Sequence, residues 1–194
     1  MTSHVQTIIK MKDVTLKNLG PADVDWMVEE LQCPQVLHWL GNPNPYYKRH
    51  AEELISERFG CTPINPNYEL GIFFKGEGIG QISVRGNDTK PPKIFMKLWI
   101  ARRFWGSGIS YETCAAFLKY YDHQHPTVPI GARIQMENMR ACKFFEKLNF
   151  KCKSMCRMPR GYAKAKTEYM GSLYMRPPAS KSIAYDDASF AESE

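Results

Sequence analysis

The chain has 194 residues, a formal net charge of +6, and a composition that is 43% hydrophobic and 24% charged. That length is enough for one domain with its own hydrophobic core, and the composition is typical of a globular protein. No run approaches the roughly 20 apolar residues of a membrane span, and the first residues lack the basic and then apolar pattern of a secretory signal. We therefore expect a cytoplasmic protein without a membrane anchor.

Metal and nucleic-acid sites are not expected from the side chains. The six cysteines include no Cys-x-x-Cys pair, and the five histidines show no metal-ligand spacing. We interpret the cysteines as reduced thiols, as in a cytoplasm-like compartment. The basic residues do not concentrate in one arm, although a local run lies between Lys151 and Lys166. Attraction of a small polyanionic ligand explains this excess more simply than nucleic-acid binding does.

The first half of the chain predicts a strand, two helices and a hairpin. The spacing of apolar residues, with breaks at proline and glycine, places them at Asp13–Lys17, Val24–Leu31, Tyr47–Phe59, Tyr68–Phe74 and Ile79–Val84. Residues 75–78 carry two glycines, which is a hairpin signal. Residues 36–40 are left without an assignment, and the proline-rich segment that follows is a loop.

The second half predicts strands alternating with helices. Strands are expected at Ile94–Ile100, Val128–Met136, Phe150–Met158 and Thr167–Met175, and helices at Ile109–His123 and Met139–Leu148. The whole order indicates an α/β (α+β) domain with a mixed sheet, spanning residues 1–176. Residues 177–194 form an acidic, Ser/Ala-rich tail that cannot bury enough apolar surface to order itself, so we expect it to be mobile or to lie on the surface.

A glycine-containing turn joins the strand that ends at Ile100 to the helix that begins at Ile109. Gly106 and Gly108 allow the backbone to approach an anion, and the first N–H groups of the following helix favour negative charge. Two glycines alone favour the simpler explanation, a tight connection that needs positive φ. The turn lacks the Gly-Lys-Ser/Thr ending of a Walker loop, and the residues after Gly108 offer no third glycine for a dinucleotide fingerprint.

A second motif makes the turn specific. Asn138, Ala141, Phe144, Lys147 and Phe150 match the Asn-x-x-Ala-x-x-Phe-Tyr-x-Lys-x-Gly-Phe segment of the GCN5-related N-acetyltransferase (GNAT) superfamily. Arg103, Gly106 and Gly108 match its Arg/Gln-x-x-Gly-x-Gly loop. The sequence of residues 98–108 resembles most closely the branch that includes the ribosomal-protein alanine acetyltransferases. The order of predicted strands and helices extends the resemblance from about Asp13 to Arg176.

The resemblance implies the GNAT fold and acetyl-coenzyme A as co-substrate, without a metal. That fold has a mixed, mostly antiparallel sheet of about seven strands flanked by about four helices, and its fourth and fifth strands splay apart. The cofactor-binding residues it implies are Leu98, Trp99, Ile100, Arg103, Phe104, Trp105, Gly106, Ser107, Gly108, Asn138 and Lys143. For Asn138, a simple helix N-cap is an alternative role.

The implied reaction is acetyl transfer to a primary amine, which attacks the thioester directly in a ternary complex. The usual tyrosine acid is absent, because Phe145 stands at its position; Ser110, Cys142, Tyr162, Tyr169 and Tyr174 are possible substitutes. The candidate bases are Glu137, Glu69 and Glu29, each of which could instead be a solvated surface carboxylate.

The acceptor amine stays open at this stage. Glu30, Trp39 and Tyr46 are candidate substrate-binding residues, although core packing is equally compatible with the two aromatic ones. The acceptor is a protein N-terminus, a small amine such as a polyamine, or a protein lysine or an aminoglycoside. A non-catalytic acetyl-coenzyme A-binding or protein-interaction module with the same fold is the alternative function. The protein is expected to be a monomer or a homodimer.

Overall fold

The computed structural model describes residues 8–40, 45–56, 66–86, 93–159 and 168–179. This part of the chain forms eight strands and five α-helices. The strands are β1 (Ile8–Lys10), β2 (Val14–Asn18), β3 (Tyr68–Phe74), β4 (Glu77–Gly86), β5 (Ile94–Ile100), β6 (Ile130–Gln135), β7 (Lys151–Pro159) and β8 (Glu168–Arg176). The helices are α1 (Val24–Glu30), α2 (Pro34–Leu40), α3 (Lys48–Ser56), α4 (Ile109–Gln124) and α5 (Met139–Lys147).

All eight strands belong to one sheet, in the order β1-β2-β3-β4-β5-β6-β8-β7. Every neighbouring pair is antiparallel except β5 and β6, which run parallel and pair only at Phe95 and Gly131. Beyond that pair, the two strands diverge towards Ile100 and Gln135. The sheet therefore consists of two halves, β1–β5 and β6–β8, separated by a gap that opens at the carboxyl ends of β5 and β6.

Helices cover both faces of the sheet. On the back face, Ile94 and Met96 of β5 pack with Phe117 of α4 and Phe145 of α5 in the larger of two apolar clusters. On the front face, Trp99 packs with residues of α1, α2 and α3 in a second cluster. Alternate residues of β5 thus serve two cores, as expected for a central strand that is buried on both sides.

Local sequence explains how β3 and β4 meet. Lys75 and Gly76 both have positive φ, at 50° and 87°, as the centre of a two-residue type I′ hairpin requires. The register then slips by one residue between Ile72 and Phe73. Helix α1 lies close to the sheet here, because a Cβ atom added to Gly78 would come within 2.4 Å of the Trp26 ring.

The mixed, mostly antiparallel architecture is confirmed, and most predicted elements agree within one to two residues. Two elements were not predicted. Strand β1 adds an eighth strand at the edge of the sheet. Helix α2 was missed because Pro34, interpreted as the end of α1, occupies the first position of the next helix, where proline is favoured.

Some predictions fall outside the described residues. They concern the end of the second predicted helix at Phe59, the start of the last predicted strand at Thr167, and residues 180–194 of the acidic tail. Among the helices that the structure describes, none has the length and apolar character needed to span a membrane.

Candidate functional site

A cleft of about 910 Å³ lies where β5 and β6 separate. Its walls come from the end of α2, the end of β5, the turn before α4 and the cleft-facing side of α5. Of the residues predicted to bind cofactor, eight line this cleft: Leu98, Trp99, Ile100, Trp105, Gly106, Gly108, Asn138 and Lys143. The two motifs that are separated in sequence therefore meet at one site.

The end of β5 presents backbone groups to the cleft. The N–H of Ala101 bonds to the carbonyl of Ile79 on the β4 side of the strand, at 2.7 Å. Because N–H and C=O groups of successive residues alternate between the two edges of a strand, those of Leu98 and Ile100 face the gap. The Ile100 carbonyl accepts a bond from Trp105 Nε1 at 2.9 Å. The N–H groups of Leu98 and Ile100 thus face space that β6 has vacated.

The turn before α4 has the geometry of an anion site. Gly106 and Gly108 adopt φ of 85° and 87°. Within the described part of the chain, the amides of Gly106, Gly108 and Ser110 form no hydrogen bond. They lie at the N-terminus of α4, a helix of 16 residues whose dipole favours an anion there.

Trp105 holds this turn against β5, and two arginine side chains lie over its ring. Besides the bond to Ile100, its ring has Arg102 Cζ at 4.7 Å and Arg140 Cζ at 5.1 Å from its centroid, a cation–π arrangement with both. Arg140 lines the cleft from α5 and was not predicted. The aromatic ring therefore links the turn to the first residues of α5.

Helix α5 presents a basic side to the cleft. Arg140, Lys143 and Lys147 all line it, at the spacing of three and four residues that places side chains on one face of a helix. That spacing is visible in the sequence and could have added Arg140 and Lys147 to the predicted set. Asn138 is placed for both of its predicted roles, cofactor binding and helix capping. It lines the cleft, and its Oδ1 accepts a hydrogen bond from the Ala141 amide at 3.1 Å.

Arg103 and Glu30, predicted to bind cofactor and acceptor, are not among the residues that line the cleft. Arg103 instead bonds to Glu30 and, at 2.6 Å, to Glu77. These carboxylates, Glu30 first, raise the pKa of Arg103. The cause is the short helical turn Arg102–Phe104, which directs Arg103 towards α1 and β4.

Phe104 and Ser107 also lie outside the lining. The Phe104 ring packs edge-on against Phe74, with ring centroids 5.7 Å apart. The Ser107 hydroxyl donates to the Phe104 carbonyl at 2.8 Å and accepts from the Ile109 amide at 3.3 Å. Both residues shape the turn rather than its cleft-facing surface.

The three candidate bases occupy different environments. Glu137 lines the cleft, whereas Glu29 is exposed on α1 outside it. Glu69 accepts bonds from Gln81 at 2.6 Å and from Ser83 and Arg85 at 2.7 Å each. Burial raises the pKa of Glu69, and Arg85 and the other donors oppose that shift.

Glu69 reaches the cleft only through other side chains. Gln81 connects Glu69 to the cleft. Its Oε1 accepts a hydrogen bond from Trp99 Nε1 at 2.8 Å, and Trp99 lines the cleft. Sequence reasoning did not find this connection, since the three residues belong to three strands.

Of the two aromatic residues predicted to bind the acceptor, one lines the cleft and the other does not. Trp39 lines the cleft from α2, and Gln135 Nε2 donates to the carbonyls of His38 and Trp39 at 3.4 Å each. Tyr46 is not in the lining: it is 2% exposed and packs in the core formed by α1, α2 and α3, in agreement with the core-packing alternative.

Phe145 is part of the lining, with its ring packed edge-on against Phe144 and Phe150 at centroid distances of 5.3 and 5.0 Å. Of the possible substitutes for the missing acid, Ser110 lines the cleft, as does Tyr111, which was not predicted.

The other possible substitutes lie elsewhere. The Tyr174 hydroxyl bonds to Glu146 at 3.2 Å, and Cys142 is buried. Burial, followed by the neighbouring Cys142 and Glu146, raises the pKa of Tyr174. Tyr162 and the side chain of Tyr169 lie outside the described part.

The divided sheet, the anion turn and the basic side of α5 form a cleft whose shape and charge suit an extended polyanionic ligand. Comparison then gives the family. A sequence profile described as the acetyltransferase (GNAT) domain matches residues 13–151. The chain belongs to the GNAT acetyltransferase family. No curated protein sequence matches it significantly.

Solved structures agree with the fold. A GNAT-family acetyltransferase from Bacillus anthracis superposes with a TM-score of 0.70 at 14% identity, covering 88% of this chain and 98% of its own. RimL, a ribosomal L7/L12 alpha-N-protein acetyltransferase, gives 0.71 at 13% identity, covering 91% and 97%. The microcin C7 self-immunity acetyltransferase MccE, solved with acetyl-CoA and AMP, gives 0.68 at 12% identity, covering 86% and 93%. At such identities the likeness shows the fold alone.

Proposed function

We propose that this protein is an N-acetyltransferase that moves an acetyl group from acetyl-coenzyme A to a primary amine, carried by a protein N-terminus or a small amine. The observation that carries the proposal is the cleft itself. A glycine turn with unbonded amides, the open edge of β5 and three basic residues of α5 converge on it. RimL and MccE, which share the fold, were solved with coenzyme A and with acetyl-CoA, respectively.

The residues present fit such a cofactor. The amides of Gly106, Gly108 and Ser110 would hold a pyrophosphate at the N-terminus of α4, and Arg140, Lys143 and Lys147 would neutralise phosphate charge. The unpaired edge of β5 offers N–H and C=O groups to an amide-containing arm. When bound, acetyl-coenzyme A supplies the acetyl group as an activated thioester.

Backbone amides would stabilise the charge that develops on the carbonyl oxygen. The N–H groups of Leu98 and Ile100 face the gap, and they are fixed by the pairing of β5 with β4. Such preorganised donors are worth about 3 to 4 kcal/mol each in acyl transfer.

Glu137 is the best-placed base for the attacking amine. It is the one of the three predicted carboxylates that lines the cleft, next to Asn138 at the beginning of α5. A carboxylate there can accept a proton from the ammonium form of the acceptor. Glu69 acts at most through Gln81 and Trp99, which makes it a positioning residue.

Protonation of the leaving thiolate does not depend on residue 145. Phe145 has no hydroxyl, but Ser110 and Tyr111 provide two in the cleft lining. A coenzyme A thiolate is also stable enough to leave without a dedicated acid. The apolar Phe145, together with the absence of a glutamate from Ile94–Ile100, favours the second candidate function, a cofactor-binding module without turnover.

The test measures coenzyme A thiol release from acetyl-coenzyme A. The acceptor panel contains spermidine, spermine, peptides with free Ser or Ala N-termini, a lysine-rich peptide and an aminoglycoside. We expect release with at least one class, and a loss of about 100-fold in kcat for Glu137→Gln with unchanged cofactor affinity. Glu69→Gln is the matched control, with a smaller loss.

Two results would contradict the proposal. Saturable cofactor binding without release for any acceptor would favour the binding module. A cleft that fails to bind acetyl-coenzyme A would overturn both functions.

A further inference from the structure

Two cations flank the gap on the front face of the sheet. Phe95 and Gly131 pair across β5 and β6, so residues at equal distances beyond them lie opposite each other in these parallel strands. Two residues after Phe95 and Gly131, Lys97 of β5 lies opposite Arg133 of β6. Two residues further along each strand, Trp99 lies opposite Gln135. Both cations are exposed, whereas Trp99 and Gln135 are buried under α1 and α2. The gap thus has a basic entrance on its front side.

The carboxylate of Glu69 favours the charge on Lys97 without forming an ion pair with it. Within the described part of the chain, neither Lys97 nor Arg133 forms an ion pair, whereas their neighbour Arg85 pairs with Glu69 at 2.7 Å. The guanidinium of Arg133 stacks on Phe95, with Cζ 4.3 Å from the ring centroid, which holds it beside the gap. Two like charges held close together destabilise each other unless an anion joins them.

The pKa of the Lys97 ammonium group is lowered in these surroundings. Loss of surrounding water lowers its pKa, and Arg85 and Arg133 lower it further, with Glu69 opposing them. The side chain as a whole remains exposed, so a ligand can reach it. A bound anion would interact with both cations at once, which is the arrangement that gives charge-assisted contacts their strength.

The distance to the reacting end fits a short peptide. Trp99 lines the cleft, and Lys97 lies two residues back on the same face of β5, a separation of about 7 Å. An extended peptide covers about 3.3 Å per residue, so an amine at Trp99 places the second or third residue beside Lys97 and Arg133. These cations can therefore contact the side chain of an acceptor whose N-terminus is being acetylated.

We infer that the acceptor is a protein N-terminus with Asp or Glu at its second or third position, bound through Lys97 and Arg133. This inference rests on the proposed function and narrows its acceptor. A polyamine would bring further positive charge to a basic entrance. Glu30, one carboxylate that could attract it, is bonded to Arg103 outside the cleft, and Glu137 in the lining is the proposed base for the reacting amine.

The experiment compares three acceptor peptides that differ only at positions two and three: Ser-Glu-Glu, Ser-Ala-Ala and Ser-Lys-Lys N-termini on one common sequence. Spermidine is the fourth acceptor. We expect the acidic peptide to be preferred over the basic one by at least about tenfold in kcat/KM, mainly through KM, because hydrogen bonds to charged groups have about that effect.

Charge reversal supplies the residue-level test. Lys97→Glu and Arg133→Glu should each reduce kcat/KM for the acidic peptide by about tenfold and raise it for the basic peptide. Lys119→Glu, an exposed lysine on α4, makes the same charge change on the other face and should leave the ratio of the two peptides unchanged. Equal melting temperatures and equal acetyl-coenzyme A affinities would show that the variants fold.

The outcomes separate this inference from the proposed function. Turnover of the basic peptide or spermidine as fast as the acidic one would overturn the inference and leave the acetyltransferase standing. Without any turnover, binding of the acidic peptide to the coenzyme A-loaded protein is measured directly. Binding that Lys97→Glu abolishes would retain the basic entrance as a site for acidic peptides while the catalytic proposal fails, and no binding would overturn both.

Discussion

At the scale of the residue, the anion turn depends on two glycines in a conformation that other residues avoid. Gly108 has φ of 87°, and a Cβ added there would meet no atom within 4 Å. Gly108→Ala therefore introduces backbone strain without a clash, at a cost of about 1 to 2 kcal/mol. Because the strain falls on the amides that face the cleft, we expect affinity for acetyl-coenzyme A to fall about tenfold, measured by calorimetry.

Gly76 supplies the control for this prediction. It also has φ of 87° and also has nothing within 4 Å of an added Cβ, but it lies in the β3–β4 hairpin turn. Gly76→Ala should lower the melting temperature by a similar amount and leave cofactor affinity unchanged. Equal losses of affinity in both variants would mean that the effect is global destabilisation, and that the turn before α4 has no special role.

Glu69 makes stability depend on pH. Burial raises its pKa from the usual 4.5, against the opposing effects of Arg85, Ser83 and Gln81. The folded protein thus holds this proton more tightly than the unfolded chain, so its contribution to stability is greatest at low pH and is lost as pH rises through the raised pKa. We expect the free energy of unfolding of Glu69→Gln to rise relative to wild type as the pH increases from 4.5 through the raised pKa of Glu69.

Urea denaturation across that range measures the difference. Glu52→Gln on α3 removes an exposed carboxylate and controls for the change in net charge. A wild type that gains stability relative to Glu69→Gln as pH rises would show that the ion pair with Arg85 outweighs burial, opposite to the expected sign.

At the scale of the element, Trp105 joins three parts of the site. Its indole donates to the last residue of β5, and its faces contact Arg102 before the turn and Arg140 on α5. Trp105→Phe keeps an aromatic ring but leaves the Ile100 carbonyl without this donor. The expected cost is about 1 to 2 kcal/mol of stability. Cofactor affinity should fall about tenfold, because the turn loses its link to the strand.

Trp26→Phe is the comparable change elsewhere. Trp26 Nε1 donates to Asp23 at 3.1 Å, and its ring packs on β4 and beside Trp99 without itself lining the cleft. We expect Trp26→Phe to lower the stability of the fold without changing cofactor affinity. Tryptophan fluorescence measures the stability, and calorimetry measures the affinity. If both variants bind the cofactor as tightly as wild type, Trp105 stabilises the fold alone.

Elements with a regular pattern could be predicted from sequence, and the exceptions have physical causes. Strand β5 and helix α4 were found because long apolar periodicity is interrupted by glycine. Helix α2 was missed because a single proline can end one helix and begin the next. The cleft-lining glycines and Asn138 followed from motifs, whereas the bonds of the Arg103 side chain to Glu30 and Glu77 did not, because a motif does not show which way a side chain turns.

Contacts between strands were beyond sequence reasoning. The chain Glu69–Gln81–Trp99 depends on the registers of β3, β4 and β5, and the opposition of Lys97 and Arg133 depends on the single β5–β6 pairing. A one-residue slip in any register would move these side chains to the other face. The residues most informative about the acceptor are therefore those that only the assembled sheet brings together.

At the scale of the whole molecule, the cleft exists because the two halves of the sheet scarcely pair with each other. Other contacts must hold them in place. Helix α4, which follows β5, ends beside β8 of the other half, and Arg176 of β8 forms two bonds of 2.6 Å to Asp122 of α4. Asp122 is the main reason why the pKa of Arg176 is raised. This bidentate pair bridges the halves on the side away from the turn.

Breaking that bridge should destabilise the whole domain. The side chains of Arg176 and Asp122 are 18% and 22% exposed, so Asp122→Asn leaves a half-buried cation without its partner, and we expect a loss of about 2 kcal/mol in the free energy of unfolding. In a double-mutant cycle with Arg176→Gln, the coupling energy should be about 1 to 2 kcal/mol. Asp25→Asn breaks the exposed pair with Lys48, at 3.0 Å, and should cause no measurable change. Additive losses at Asp122 and Arg176 would show instead that helix packing alone keeps the two halves of the sheet together.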